Sequence, residues 1–513
     1  MFWAAESDYR MGDYRTALTG FEAFLNNPDT SKTEEFKNIN YHIAYCYFNL
    51  KDYNQAGGYF DQFIKTNPTD KNLLNDAYLR LGDSYFALGN YFKALIPYNS
   101  AIEGNSLEAD KAAFQSALCY GLMGDNDKKI KALEDFLNTN LKSVLRDDAF
   151  YELGNSLTAK NQTDKALKAY DEVIKNYPQS NLVPKSMLKQ GLIYFNKDQN
   201  EEALAKYKTV VRDYPNTSEA VEAISNARQV YVEQGRVAEY EKLVKNIDYI
   251  DVSSKEIESA LYESAEKQYV DNNYKKAIQG LEEYVKRFPK GQQIIASKYY
   301  LASSYEKDGQ TDKAKANYKS VTEYATNDYT ENSLSKLAEI YLKENKYQDA
   351  LPLLTRLEKE AGTEKNKQFA QSNLMKSNYA LNKYEQAEKY AEILLDQPKL
   401  EPEIRSDAEI IIARSAFKKG DLSKAQAAFE ELEKTATGEL KAESIYYNGY
   451  FLHQDGNYKN SNEVMQKLAS SYSNYRYWGA KGLVIMAKNY YGLSDLYQAT
   501  YILESVIKNF SEY

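Results

Sequence analysis

The amino-acid sequence predicts an all-α chain in which about fourteen antiparallel helical hairpins follow one another as a solenoid. Three observations lead there. A small residue recurs at Ala17, Ala56, Ala94, Ala166, Ala203, Ala277, Ala314, Ala350, Ala387, Ala425 and Ala499, with Ser461 in register, at a mean period of about 37 residues. A second small residue stands twelve positions before most of them, as at Ala5, Ala44, Gly82, Gly154, Gly191, Ala265, Ala302, Ala338, Ala413, Gly449 and Ala487. Between the two lies a turn dipeptide such as Gly12-Asp13, Gly89-Asn90, Gly420-Asp421 or Gly456-Asn457. Ile130 and Glu239 fill the two gaps in the register and complete fourteen units, which account for all 513 residues.

Within each unit the elements follow in order. The first helix carries its small residue where a second, antiparallel helix must approach to about 8–10 Å, which a bulky side chain would prevent. The Gly-Asp or Gly-Asn pair then stops one helix and starts the next. Four residues after the second-helix alanine stands a large apolar group, among them Phe21, Phe60, Tyr98, Tyr170, Tyr207, Leu281, Tyr318 and Phe429, and that spacing keeps both on one face. Proline at Pro28, Pro68, Pro178, Pro215, Pro289 and Pro398 closes the second helix, since it lacks the amide proton and restricts the residue before it. The seventh unit matches worst, with Glu239 at the alanine position and no closing proline before Ile247-Asp248-Tyr249-Ile250-Asp251. Ser253 and Glu256 read as a capping box that restarts a helix. The chain is therefore divided into arrays of about seven repeats each, 1–252 and 253–513, with a hinge or an imperfect repeat in a continuous solenoid between them.

At this point the residues resemble a known family. Tyr78-x2-Leu81-Gly82-x2-Tyr85 followed by Ala94-x3-Tyr98 resembles the tetratricopeptide pattern W-x2-L-G-x2-Y…A-x3-F…P. Phe150, Leu153, Gly154, Leu157, Ala166, Tyr170 and Pro178 repeat it in the fifth unit, and Gly191, Tyr194, Ala203, Tyr207 and Pro215 in the sixth. The Tyr-Pro connectors are similar to those of bacterial envelope tetratricopeptide proteins of the BamD-like outer-membrane lipoprotein and Tol-Pal coordinator kinds. The resemblance implies a right-handed superhelix, a protein-binding role and a periplasmic or outer-membrane-associated location, with the cytoplasm as the alternative.

Composition narrows the function. Lys and Arg number 65 against 74 Asp and Glu, for a net charge of −9, and no basic run offers the footprint of a nucleic-acid binder. No apolar stretch nears the roughly 18–20 residues of a membrane helix. Met1-Phe2-Trp3 opens inside a first helix and Ile502, Leu503, Val506, Ile507 and Phe510 close a second without a polar cap, so the polypeptide is expected to continue beyond both ends. Only His42 and His453 are available for imidazole chemistry. His42 and Cys46 share a helix face, yet two ligands make no structural metal site, and Cys46 and Cys119 stand a whole unit apart, beyond disulfide reach. Gly121-x2-Gly124 reads as an inter-helix turn, lacking the strand and lysine of a phosphate cradle. No converging carboxylates stand out, so no enzyme, cofactor or metal is expected.

The 48 tyrosines are the compositional oddity. In tetratricopeptide proteins the first helix of each hairpin lines the concave surface, and carrying those positions over by their offset from the alanine assigns Tyr9, Tyr41, Tyr45, Phe48, Phe86, Tyr151 and Phe195 near the start. Toward the end it assigns Phe417, Tyr446, Tyr450, His453 and Tyr491. Tyrosine suits partner binding through a large apolar face and a hydroxyl, and it equally serves core packing. The family's carboxylate clamp uses Lys and Asn where this sequence has Tyr41 and Tyr45 or Leu79 and Asp83, which disfavours a chaperone-tail adaptor. The sequence therefore predicts a scaffold that binds a protein or peptide in an aromatic groove, with a ligand-sensing or glycan-binding module as the alternative.

Overall fold

The structure is a computed structural model that describes residues 1–105, 108–249 and 252–513. Among these residues there are twenty-eight α-helices, numbered α1 to α28 in chain order, and no strand. Consecutive helices pair as hairpins, fourteen in all, from α1 (Phe2–Arg10) with α2 (Tyr14–Leu25) to α27 (Arg476–Gly492) with α28 (Leu496–Asn509). The chain divides into two compact units, Met1–Ile257 and Glu258–Tyr513. Ile250 and Asp251, which end the segment where the sequence predicts a hinge, lie outside the described residues. Ser253 Oγ accepts the Glu256 amide proton at 3.2 Å, as a capping box requires, but the Glu256 carboxylate accepts from the Tyr240 hydroxyl instead of turning back to its own helix start.

Every hairpin turns on one residue in the left-handed region. Seven are glycines, including Gly12, Gly89, Gly124 and Gly420, and seven are other residues, namely Lys51, Asn161, Asp198, Asn272, Asn345, Asn382 and Ser494. Asparagine and aspartate tolerate this conformation because their short polar side chains bond locally, whereas lysine and serine hold it at a cost. The next residue caps the second helix. Asp13, Asp52, Asp125, Asp421 and Asp495 each accept the amide proton three residues on, satisfying a donor that the first helical turn leaves open. The six closing prolines all lie two or three residues past a helix end, as Pro178 does after α10 (Thr163–Asn176).

Counting from the cap places the small site four residues into each second helix, and it corrects the register at two repeats. Lys129, not Ile130, takes the position in the fourth hairpin, and Tyr240, not Glu239, takes it in the seventh. Glu239 is exposed and pairs with Arg236 at 2.7 Å. The aliphatic stem of Lys129 is accommodated by Gly121, where a Cβ would stand 2.6 Å from the lysine Cδ. Gly121 is therefore a helical residue of α7 (Ala109–Leu122), and only Gly124 belongs to the turn.

The first-helix small residue makes room for the large residue of the second helix. A Cβ at Gly82, Gly154 or Gly191 would meet the ring of Tyr98, Tyr170 or Tyr207 at 2.4–2.6 Å. These tyrosines are fully buried. At three such positions the hydroxyl explains why the sequence uses tyrosine where phenylalanine would fill the same space, for Tyr98 donates to Asp83 at 2.9 Å, Tyr170 to Asn155 at 2.8 Å and, in a later hairpin, Tyr318 to Glu306 at 2.8 Å. The ring is core while its polar tip reaches a partner on the opposing helix. Cys46 and Cys119 are free and buried, and burial pushes both thiols up to about 12.

Candidate functional site

The residues that the sequence assigns to one aromatic surface fall into two clusters and several isolated positions. In the first cluster, Tyr41, Tyr45 and Phe48 lie on α3 (Ile39–Asn49) and pack on the buried Phe60 of α4 (Tyr53–Lys65). The Tyr41 and Tyr45 rings meet edge to face at 5.0 Å. Both hydroxyls donate to Asp76 Oδ2, at 2.8 and 2.5 Å, on α5 (Lys71–Ala87) of the next hairpin. Arg80 Nε donates to the Tyr45 hydroxyl at 3.1 Å, its Nη1 donates to Asp83 at 2.9 Å, and Tyr98 closes the chain on Asp83. Burial, then the facing Tyr45 and Asp76, push the Tyr41 phenol far above its ordinary value. This network stitches the second hairpin to the third, so these hydroxyls are occupied within the protein.

The second cluster joins Phe417, Tyr446 and Tyr450 with groups the sequence reading missed. Tyr446 and Tyr450 lie on α25 (Gly438–Gln454), and Phe417, on α23 (Pro402–Lys419), packs on Tyr450 at 5.6 Å and on Tyr447 at 4.8 Å. On the facing α27, Lys481 Nζ stands 4.4 Å from the Tyr446 ring centroid, 4.8 Å from Trp478, 5.3 Å from Tyr477 and 5.7 Å from Tyr447. Burial lowers the Lys481 ammonium from its ordinary value, Glu443 raises it and Lys418 lowers it further. Glu443, 2% exposed by its side chain, is held by Arg414 in a two-point ion pair at 2.7 and 2.5 Å. Tyr446, Tyr450, Tyr477, Lys481 and Lys488 face a cavity of about 420 Å³ floored by Val484, Ile485 and Phe510, within the range of ligand-sized pockets. A signal for it exists in the sequence, since Tyr477, Trp478, Lys481 and Lys488 recur at helical spacing on one face.

The remaining assigned residues do not join either cluster. Tyr9 is half-buried against Tyr14, and its hydroxyl accepts from Asn49 at 3.0 Å. Phe86 packs on Tyr91 of its own hairpin and Tyr151 on Tyr170, while Phe195 is half-buried. His453 Nδ1 pairs with Asn489 Oδ1 at 2.6 Å, and Asn489 in turn donates to Ser461 and Asn462, so this imidazole belongs to a buried polar network between hairpins. Tyr491 is 70% exposed and stands apart.

A succession of helical hairpins with a small-residue crossing, a capped turn and a proline stop defines a helical-repeat protein of the protein–protein interaction class. Residues 148–180, 185–217 and 296–327 match one family described as Tetratricopeptide repeat, residues 333–366 match a second of the same description, and residues 1–118 match Outer membrane lipoprotein. The chain carries tetratricopeptide repeats in both of its units. No curated protein matches it. Among solved structures it is similar to the crystal structure of MamA, at 20% identity over 36% of this chain and 97% of that one, with a TM-score of 0.29. It is also similar to Naa15/Naa10 bound to HypK-THB, at 13% identity over 90% of this chain and 67% of that one, TM-score 0.36. A tetratricopeptide repeat protein from Parabacteroides merdae ATCC 43184 matches at 13% identity over 52% of this chain and 98% of that one, TM-score 0.34. Among the described residues no helix is long and apolar enough to cross a membrane.

Proposed function

We propose that the protein is a scaffold of the bacterial cell envelope that holds a protein or peptide partner on the face formed by the first helices of its hairpins. The observation that carries this reading is the combination of tetratricopeptide repeats in both units with an N-terminal match to Outer membrane lipoprotein. Two features of the structure support the choice of face. First helices carry partly exposed aromatics such as Tyr9, Phe86, Phe195 and Tyr491, and two of them, α25 and α27, line the cavity beside Lys481. Tyrosine there offers contact area at low rotamer cost, as interfaces use it.

The test is site-specific photo-crosslinking in the native host. A crosslinker replacing Tyr9, Phe86, Phe195 or Tyr491 on first helices is expected to trap one discrete envelope protein. The same crosslinker at the exposed Lys168 and Lys459 of second helices is expected not to. Equal trapping from both sets, or fractionation of the protein away from the envelope, refutes the reading. The glycan alternative finds its support elsewhere than in the aromatic face. A cavity of about 700 Å³ between α6 (Tyr91–Glu103), α7 and α8 (Asn126–Thr139) is lined by Asn99, Asn105, Asn140, Asp135 and Tyr120, amides and an aromatic ring of the kind that satisfy sugar hydroxyls and stack on sugar faces. A glycan array read on the full chain separates this from protein binding.

A further inference from the structure

We propose that the cavity between α25, α27 and α28 reads an acidic side chain flanked by an apolar one in a segment of the partner protein. The proposal deepens the scaffold reading and rests on it only for the identity of the ligand as a protein segment.

Several hydrogen-bond donors beside this cavity have no partner among the described residues. Lys481 has no carboxylate within ion-pair distance among the described residues, although Glu443 lies near enough to act on it, because Arg414 holds that carboxylate at two points. The hydroxyls of Tyr446, Tyr450 and Tyr477 also have no hydrogen-bond partner among the described residues, and Tyr446 is only 6% exposed. Tyr41 and Tyr45, at related places in the second hairpin, have theirs tied to Asp76. Lys481 and these three tyrosines thus line one cavity with no Asp or Glu among its lining residues. Lys481 is half-buried, and a cation partly withdrawn from water is costly unless an anion pairs with it, the surrounding rings compensating only in part.

The chemistry of the anion follows from the lining. No arginine, whose planar fork grips a phosphate at two points, faces the cavity. A single ammonium with hydroxyl donors suits the two oxygens of one carboxylate. Beside Lys481 the floor is Val484, Ile485 and Phe510, which an adjoining aliphatic or aromatic side chain would cover. Lys488, two helical turns along the same face, adds a second positive charge at the exposed end, in a chain whose net charge is −9.

The test exploits the two tryptophans of the chain, Trp3 and Trp478. In a Trp3→Phe background, Trp478 is the sole indole, and it touches both Tyr446 and Lys481. The full chain is titrated with N-acetyl-Glu-Leu-amide and N-acetyl-Gln-Leu-amide at low salt, reading Trp478 emission. The acidic probe is expected to bind about tenfold more tightly than its neutral isostere, the scale of one charge-assisted contact. That preference is expected to vanish in Lys481→Met and to survive in Lys481→Arg, with helix content unchanged in each by circular dichroism. Equal affinity for the two probes in the parent, a preference that persists in Lys481→Met, absence of binding by either, or binding of free glucuronate in their place overturns the proposal. Because the probes are blocked dipeptides, the titration stands whether or not crosslinking captures a partner, and the two readings fail separately.

Discussion

Replacing Gly82 by alanine tests the mechanism that sets the spacing of the hairpins. The new Cβ would lie 2.4, 2.5 and 2.9 Å from three carbons of the Tyr98 ring, where unstrained carbons sit about 3.5–4.0 Å apart. The ring cannot swing aside, since Tyr98 is fully buried and its hydroxyl is anchored to Asp83. Relief therefore requires α5 and α6 to separate by roughly 1 Å, an overpacking cost of about 1–3 kcal/mol. Alanine returns about 1 kcal/mol of helix propensity, so the net loss should be about 0–2 kcal/mol. Gly58, on the exposed face of α4 where an added Cβ would meet nothing within 4 Å, supplies the control, and Gly58→Ala should gain about 1 kcal/mol from propensity alone. Urea denaturation followed by circular dichroism, with amide exchange over α5 and α6 to localise the change in a repeat array, provides the measurement. In a Tyr98→Leu background the sign should reverse and Gly82→Ala become stabilising. A stabilising Gly82→Ala in the parent, or no change of sign in the double variant, would show that the glycine is not there to admit the ring.

Three further outcomes are expected. Arg414→Met strands the Glu443 carboxylate in a buried site and should destabilise its neighbourhood by about 3–5 kcal/mol, most of it recovered by adding Glu443→Leu, as urea midpoints will report. His42 packs on Phe2 and Phe21 at 5.0 and 5.3 Å, and burial lowers its pKa although the nearby Glu6 raises it. The imidazole is thus held neutral, its contribution is present above the ordinary histidine value near 6.5 and is lost as pH falls below it, so the parent should weaken between about pH 7 and 5 more steeply than His42→Gln. Lys51 holds a φ of 64° in the turn of the second hairpin, and Lys51→Gly should stabilise by about 0.5–1 kcal/mol, the release of left-handed strain less the added freedom of the unfolded chain; an unchanged or lower thermal midpoint would count against strain at that turn.

The repeat was legible because its constraints are local. The crossing needs a small residue, the turn a left-handed one and the stop a proline, and each of these leaves a residue type in the sequence. The register slipped by one where a large side chain took the small site. At Lys129 the compensation had moved eight residues back to Gly121, which by itself resembles a loop glycine. The candidate surface was only half legible for a related reason. Offset along a helix places Tyr41, Tyr45, Tyr446 and Tyr450 on the first-helix face, but whether a hydroxyl is free depends on a residue about one repeat away, such as Asp76, 35 positions after Tyr41. Lys481 is hard to single out because a lysine in a charged chain is ordinarily solvated surface, and only the packing of α25 against α27 adds the rings of Tyr446 and Tyr447 to those of Tyr477 and Trp478 on its own helix.

That dependence on the following hairpin gives a physical account of how a repeat array acquires a binding site without altering its fold. In the second and third hairpins, Asp76 accepts both tyrosine hydroxyls and Arg80 is balanced between Tyr45 and Asp83, so cation, anion and phenols close upon each other. In the last two hairpins the same ingredients are distributed otherwise. Arg414, one hairpin earlier, takes the carboxylate of Glu443, and the phenols and the lysine of the next helix are left facing a cavity. The aromatic residues do the same packing in both places, and burial of their rings contributes to stability in both. What differs is which neighbour supplies the negative charge. Transplanting an acid into the second setting should therefore convert it to the first: Val484→Asp, one turn beyond Lys481, would pair a carboxylate with the ammonium from within and close the cavity to an acidic ligand, while leaving the hairpin stack that carries it intact.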